Sequence, residues 1–181
     1  MNMLRGLSAL VLLLGVVFVA SLMIVAKSLE TGLDYLDEAS FRVLVAFELL
    51  LNFGPKVVSD KRYGRALMAI FHQETDPRKP LTEQIGDVGL AGGPSIGPGQ
   101  VYYKSAVDYG FFDGTSEEYE TLASNLSVCV SMAVRVFKNK LADARGDFDE
   151  AIRRYNGSGT RAQKYAADAL GFANSTWGGL S

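Results

Sequence analysis

The sequence has very few of the residues that build disulfides and metal sites. Among its 181 residues there is one cysteine, Cys129, and one histidine, His72. A lone cysteine cannot close an internal disulfide, and a zinc site needs a cluster of Cys and His ligands. We therefore expect no metal and no cofactor. Cys129 lies in the apolar stretch 126–137 and is predicted to be a small core residue, whereas His72 is predicted to lie on the surface or against a loop.

The chain also lacks an excess of basic charge. It has 18 Lys and Arg against 20 Asp and Glu, and its formal net charge is −2. Proteins that bind nucleic acid usually carry a basic patch, so we expect no nucleic-acid partner. The hydrophobic content of 48% is enough for a packed core. The length suits one domain with an appendage.

One long run without charge lies near the N-terminus. Residues 6–26 have Ser8 and Ser21 as their only hydroxyls. A helix of that length rises about 30 Å, which matches the hydrocarbon core of a bilayer. A cleaved signal peptide is the alternative, but its apolar region is shorter. Residues 1–27 are therefore predicted to be a transmembrane anchor that contacts the membrane through residues 4–26.

The flanks of this run predict its orientation. Arg5 and the amino terminus precede it, and acidic residues follow soon after Lys27. The positive-inside rule then places the N-terminus in the cytoplasm and the remaining chain outside it, on the periplasmic side. In a phage, the same anchor would hold the chain in a virion membrane.

A second apolar stretch, residues 41–53, is too short and too charged to span a membrane. Its apolar residues recur at helical spacing, which predicts an amphipathic helix within a linker of residues 28–60. Two interpretations stay open. The helix packs on the following domain, or it lies on the membrane surface or pairs with a partner.

Helical patterns dominate the remaining chain, which we assign to one mainly α domain over residues 61–175. Helices are predicted over 62–75, 100–109, 117–140, 147–156 and 160–170. Ser116, Gly110, Gly157 and Gly171 supply the expected start and stop signals. Residues 77–99 are glycine-rich and predicted to be irregular, with room for a short hairpin. The tail, residues 172–181, is predicted to be loose.

Glu74 is the strongest candidate for chemistry. Leu67, Ile70, Phe71 and Glu74 are spaced i, i+3, i+4 and i+7, so the carboxyl continues an apolar stripe. Apolar surroundings raise the pKa of a carboxyl, as a general acid working near neutral pH requires. The alternative is a structural glutamate that turns out to solvent at the helix end.

Three short segments around Glu74 resemble a known family. They read Ala-Ile-Phe-His-Gln-Glu-Thr at 69–75, Ser-Ile-Gly-Pro-Gly-Gln at 95–100 and Ala-Ile-Arg-Arg-Tyr-Asn-Gly at 151–157. In this order they resemble the lysozyme-like lytic transglycosylases, which are related to goose-type lysozymes. The resemblance covers residues 62–170. It implies a lysozyme-like α (α+β) domain with a glycan-binding cleft, following the N-terminal transmembrane helix.

The resemblance also implies roles for individual residues. Glu74 matches the catalytic acid and base, Ser95 and Gln100 match residues that line the sugar groove, and Tyr155 and Asn156 match a pair near the catalytic glutamate. The Tyr155 hydroxyl is expected to hydrogen-bond a carboxyl. The chain departs from the family in three ways: Pro98-Gly99 replaces Leu-Met, Thr75 replaces serine, and the spacing from Glu74 to Ser95 is long.

The activity that the resemblance implies is cleavage of the β-1,4 bond between N-acetylmuramic acid and N-acetylglucosamine in peptidoglycan, leaving 1,6-anhydro ends. A lysozyme-type hydrolase is the first alternative, and it generally needs a second carboxylate. Asp76, Glu83 and Asp87 lie in the adjoining loop, and Asp87 between its glycines is the best candidate. A non-enzymatic, membrane-anchored protein that binds the wall is the second alternative. A virion or a secretion complex is the expected setting.

Overall fold

The computed structural model describes residues 38–54, 57 and 60–180, with the side chains of 38–40 left aside. The predicted anchor, residues 1–27, and the first part of the predicted linker lie outside the described residues. Within the described part, no helix combines the length and apolar character needed to cross a bilayer.

The fold is mainly α, as the sequence predicts. The described residues form seven α-helices and one small sheet. The helices are α1 Glu38–Phe53, α2 Lys61–Glu74, α3 Tyr103–Asp108, α4 Ser116–Thr121, α5 Leu126–Asp143, α6 Phe148–Asn156 and α7 Gly159–Trp177.

The sheet consists of three two-residue strands between α2 and α3. They are β1 Ile85–Gly86, β2 Ser95–Ile96 and β3 Val101–Tyr102, joined in antiparallel order β1-β2-β3. The glycine-rich segment therefore contains the expected hairpin, β1-β2. The helix predicted from residue 100 is wrong at its start, because Gln100 lies in a turn with φ 42° and Val101 pairs with Ile96. The helix begins only at Tyr103.

The long helix α5 forms the centre of the hydrophobic core. Cys129, Val130, Ala133 and Phe137 on α5 are fully buried, which confirms Cys129 as a core residue. Helix α1 packs on one side of α5, and α6 contacts α5, α2 and α7. Burial of these apolar faces is the main stabilising term of such a fold.

Helix α1 packs on the domain, so the first of its two interpretations is the one observed. Phe41, Val45 and Leu49 are buried in the common hydrophobic core. The Phe41 ring lies 5.4 Å from the ring of Phe71 on α2. Glu48 is also buried here. Burial raises its pKa, and hydrogen bonds from Ser131 and Ser127 oppose that rise.

The helix predicted over 117–140 is in fact two helices. Thr115, not Ser116, caps α4 through a capping box with Glu118. A 3-10 turn, Leu122–Ser124, follows, and the Asn125 side chain then accepts a hydrogen bond from the Val128 amide at the start of α5. The chain breaks here because asparagine is a strong N-cap and offers the backbone an alternative to continuing the helix.

The predicted end of the last helix and the predicted loose tail, residues 172–181, are also wrong. Gly171 does not end the last helix, which continues to Trp177 and stops at Gly178 with φ 72°. Phe172, in the predicted loose tail, stacks on His72 at 3.8 Å and packs edge-on against Trp177 at 5.3 Å. Because α7 packs along α2, these aromatic contacts hold the last turns in the helix.

Candidate active site

A cleft of about 590 Å³ opens between the small sheet and the ends of α2, α5 and α6. The residues that line it include every site residue predicted from the sequence: Glu74, Asp87, Ser95, Gln100, Tyr155 and Asn156. They come from parts of the chain up to about eighty residues apart, and the fold brings them to one surface. The lining of the cleft is mostly polar, so it offers many hydrogen-bonding groups to a ligand.

Glu74 is the last residue of α2, and its carboxyl is largely removed from water. The helix is capped at its start by Asp60, and its buried face includes Leu67, Ile70 and Phe71. Burial raises the pKa of Glu74 from 4.5 to about 7, against a lowering by the Tyr165 hydroxyl. The charge of Asp87 raises the pKa further, and that of Arg161 lowers it. Near neutral pH, Glu74 is therefore protonated in a large fraction of molecules and can both give and accept a proton.

Tyr165 is a site residue that the sequence analysis missed. Its hydroxyl is buried and acts on the Glu74 carboxyl, yet it makes no hydrogen bond of normal geometry. No other buried side-chain polar atom in the described part of the chain lacks a partner. Burial and the nearby Glu74 charge raise the pKa of Tyr165, so it stays a proton donor. The signal was present, because Ala162, Tyr165, Ala166 and Ala169 form an apolar stripe at helical spacing.

The Tyr155 hydroxyl does not hydrogen-bond the Glu74 carboxyl, and the prediction of a bond to a carboxyl is wrong. Its hydroxyl donates to the Gly99 carbonyl at 2.9 Å. Burial raises its pKa well above the ordinary value, and the charge of Glu74 adds to the rise. Tyr155 thus joins the end of α6 to the turn that precedes β3, and the charge of Glu74 acts on it electrostatically.

The packing around Gly99 explains one departure from the family pattern. A Cβ atom at this position would lie 2.6 Å from the Ala133 Cβ and 2.8 Å from the Tyr155 Oη. Real Cβ atoms do not approach other groups so closely. In this chain only glycine fits between α5 and α6, so a larger residue such as methionine is excluded here.

Ser95, Gln100 and Asp87 form a connected polar group at the floor of the cleft. The Ser95 Oγ lies 2.9 Å from both the Asp87 Oδ2 and the Gln100 Oε1, and its single proton is donated to one of them at a time. The Gln100 Nε2 donates to the carbonyls of Gly97 and Gln84 at 2.9 and 3.2 Å. The polar ends of Gln100 therefore hold the turn in shape as well as facing the cleft.

Gln84 is a second residue that the sequence analysis missed, and its role is structural. Its side chain is buried, and its Oε1 accepts from the Asp76 amide at 2.8 Å. Its Nε2 lies within 3.0 Å of the carbonyls of Asp76, Lys79 and Pro80. These bonds hold the loop that leaves Glu74. A glutamine in an irregular segment has no periodicity that would reveal such a role.

The single histidine and the single cysteine are not part of the cleft lining. His72 is exposed and stacks on Phe172, and burial raises the pKa of Cys129 to about 12, so its thiol is unreactive. Within the described residues, no group of three or more His, Cys, Asp or Glu side chains is arranged to hold a metal ion.

The chain matches no protein-family model, and comparisons with curated proteins and with solved structures find no similar protein. The resemblance to lytic transglycosylases therefore depends on the motif residues alone. A functional conclusion must come from the chemistry of the cleft.

Proposed function

We propose that this protein is a peptidoglycan-cleaving enzyme with a lysozyme-like domain, and that it acts as a lytic transglycosylase. The observation that carries the proposal is Glu74, a carboxyl with a pKa of about 7 in a cleft of about 590 Å³. A raised glutamate pKa is what acid catalysis of glycosidic cleavage needs at neutral pH. The five other predicted site residues line the same cleft and support the assignment.

In the proposed reaction, the Glu74 carboxyl acts first as an acid and then as a base. Protonated Glu74 gives its proton to the oxygen of the β-1,4 bond, and the N-acetylglucosamine part leaves with a hydroxyl. The N-acetyl carbonyl of the muramic acid assists at the anomeric carbon. The Glu74 carboxylate then takes the proton of the 6-hydroxyl, whose oxygen bonds to that carbon and closes the anhydro ring. No water is consumed, and Glu74 ends protonated again.

Tyr165 and Arg161 fit the intermediate stage of this reaction. Once Glu74 has lost its proton, the Tyr165 hydroxyl and the Arg161 charge both favour the carboxylate, since both lower the pKa of Glu74. Donors and charges directed at a developing anion are usually the largest source of catalysis.

A lysozyme-type hydrolase is the second candidate, and one observation favours it. Asp87 lines the same cleft, and its charge acts on Glu74. Hydrolytic glycosidases usually have two carboxylates that flank the glycosidic bond to be cleaved. In that mechanism Asp87 would activate water or act as the nucleophile, and the product would have a reducing end.

Mass spectrometry of digested peptidoglycan separates these functions. We expect the full chain, in detergent, to release fragments with 1,6-anhydro ends, and Glu74→Gln to release none. Reducing ends, together with loss of activity in Asp87→Asn, would instead establish the hydrolase. Wild-type protein that binds sacculi without releasing fragments would show a wall-binding protein and not an enzyme.

The proposed setting is a membrane that faces the wall. Residues 1–27 would anchor the chain with its catalytic domain on the periplasmic side, or in a virion membrane. From there the enzyme would open the wall locally for phage entry or lysis, or for a secretion complex.

A further inference from the structure

The cleft is lined by both acidic and basic side chains. Its carboxyls, Glu74 and Asp87, come from the end of α2 and from the loop after β1. Three cations line it from the helical side. They lie near the end of α5, near the end of α6 and in the first turn of α7, and we call them the basic wall: Lys140, Arg154 and Arg161.

Two of these cations have no ion-pair partner within the described part of the chain. Arg154 is paired with Glu150, its Nε 2.6 Å from the Glu150 Oε1. By contrast, neither Lys140 nor Arg161 makes a hydrogen bond or an ion pair with a described residue, although the Arg161 charge acts on the Glu74 carboxyl. Lys140 lies near an aromatic ring, with its Nζ 5.7 Å from the centre of Tyr109. Both cations are therefore available to a ligand.

Stabilisation of the helix ends explains the positions of only two of the three cations in the basic wall. Cations near a helix C-terminus interact favourably with the helix dipole, which suits Lys140 and Arg154. Arg161 lies in the first turn of α7, where the dipole disfavours a positive charge. It lines the same cleft as Lys140 and Arg154, whose like charges repel it, while the charge of ionised Glu74 attracts it. When Glu74 is protonated that attraction is lost, and an anion bound in the cleft would then offset both the dipole and the repulsion between the cations.

We propose that the basic wall binds the carboxylates of the stem peptide carried by the muramic acid. This inference rests on the proposed function and specifies its substrate. The sugars of a peptide-bearing strand are uncharged, since the lactyl carboxyl is joined in an amide, so the strand's carboxylates belong to its peptides. Charge complementarity of this kind selects a partner and speeds its association. The enzyme then prefers peptide-bearing strands over neutral glycans such as chitin.

The test compares native sacculi with sacculi whose carboxyls have been converted to neutral amides. Full-length wild type in detergent should release fragments about tenfold faster from native sacculi at low salt. Lys140→Gln with Arg161→Gln should bring the ratio of the two rates close to one. The ratio of the two rates is measured because Arg161 also lowers the pKa of Glu74. The loss of that effect changes the rates on both substrates equally and leaves their ratio unchanged.

Lys164→Gln is the matched control. Lys164 lies on α7, three residues after Arg161, is exposed, and is paired with Asp168 away from the cleft. Its replacement removes one positive charge from α7 without changing the cleft lining. It should leave the rate ratio at the wild-type value.

Some outcomes overturn the inference while the proposed function stands. These are equal wild-type rates on both substrates, or a double variant that loses activity on both to the same extent. If wild type releases nothing, the proposed function is wrong. Sedimentation of the Glu74→Gln protein with both kinds of sacculi then decides the inference separately. Tighter binding to native sacculi, abolished by the double variant, supports it, and equal binding overturns it.

Discussion

The Tyr155 hydroxyl donates to the Gly99 carbonyl at 2.9 Å and so connects two segments that lie 56 residues apart in sequence. Tyr155 lies in the last turn of α6, and Gly99 belongs to the turn that carries Gln100 into the cleft. The same turn is bonded through Gly97 and Gln100 to the carbonyl of Gln84, which holds the loop after Glu74. The floor of the cleft is therefore positioned by both α6 and α2.

Tyr155→Phe should destabilise the protein by about 1–2 kcal/mol, because the partly buried Gly99 carbonyl loses its partner. The aromatic ring and its packing remain. Thermal or urea unfolding measures the change. Tyr165→Phe, compared well below pH 7 where Glu74 is protonated in both proteins, is the control, since the Tyr165 hydroxyl makes no hydrogen bond of normal geometry and its loss there should leave stability unchanged or slightly raised. Equal losses in the two variants would contradict the assigned bond.

Tyr165→Phe should raise the pKa of Glu74. The Tyr165 hydroxyl lowers this pKa in the wild type, so its removal leaves the effect of burial less opposed. Carbon-13 NMR titration of the Glu74 carboxyl measures the shift without relying on activity. The alkaline limb of the pH profile for peptidoglycan cleavage should move upwards as well. A pKa that stays constant or falls would show that Tyr165 does not act on Glu74.

Glu74→Gln should stabilise the protein in alkaline but not in acidic solution. The folded pKa of Glu74, about 7, lies above the ordinary 4.5, so between these values the folded state binds more protons than the unfolded state. Wild-type stability is then unaffected by this group below pH 4.5, falls as the pH rises to about 7, and is constant above it.

The uncharged glutamine side chain of this variant lacks the pH dependence. The variant should match the wild type near pH 4 and exceed it at about pH 8 by up to about 3 kcal/mol. Urea unfolding at the two pH values measures the difference. A variant with the same advantage at both pH values would rule out a raised folded pKa as the cause.

Gly99→Ala should destabilise the protein by about 1–3 kcal/mol, since the added Cβ would overlap Ala133 and Tyr155. It should also displace Gln100 and reduce binding of peptidoglycan fragments. Gly64→Ala, in α2, is the matched control. A Cβ there would meet nothing within 4 Å, and alanine is the better helix former by about 1 kcal/mol. Opposite changes in melting temperature are expected, and a neutral Gly99→Ala would contradict the close packing.

Local patterns in the sequence determined several parts of this protein. The apolar stripe of residues 67–74 indicated both α2 and the partial burial of Glu74. Asp147 and Gly157 marked the ends of α6. The mainly α fold and the buried Cys129 were also predicted. These features depend on periodicity, capping and composition, and each acts within a few residues of the chain.

Tertiary structure decided what those patterns could not. The turn at Gln100, the continuation of α7 past Gly171 and the contact of Tyr165 with Glu74 each depend on a partner distant in sequence. Periodicity tells which face of a helix is buried, but it does not tell which side chain lies opposite. The raised pKa of Glu74 follows from the same fact, because neighbours brought by other helices exclude water from its carboxyl.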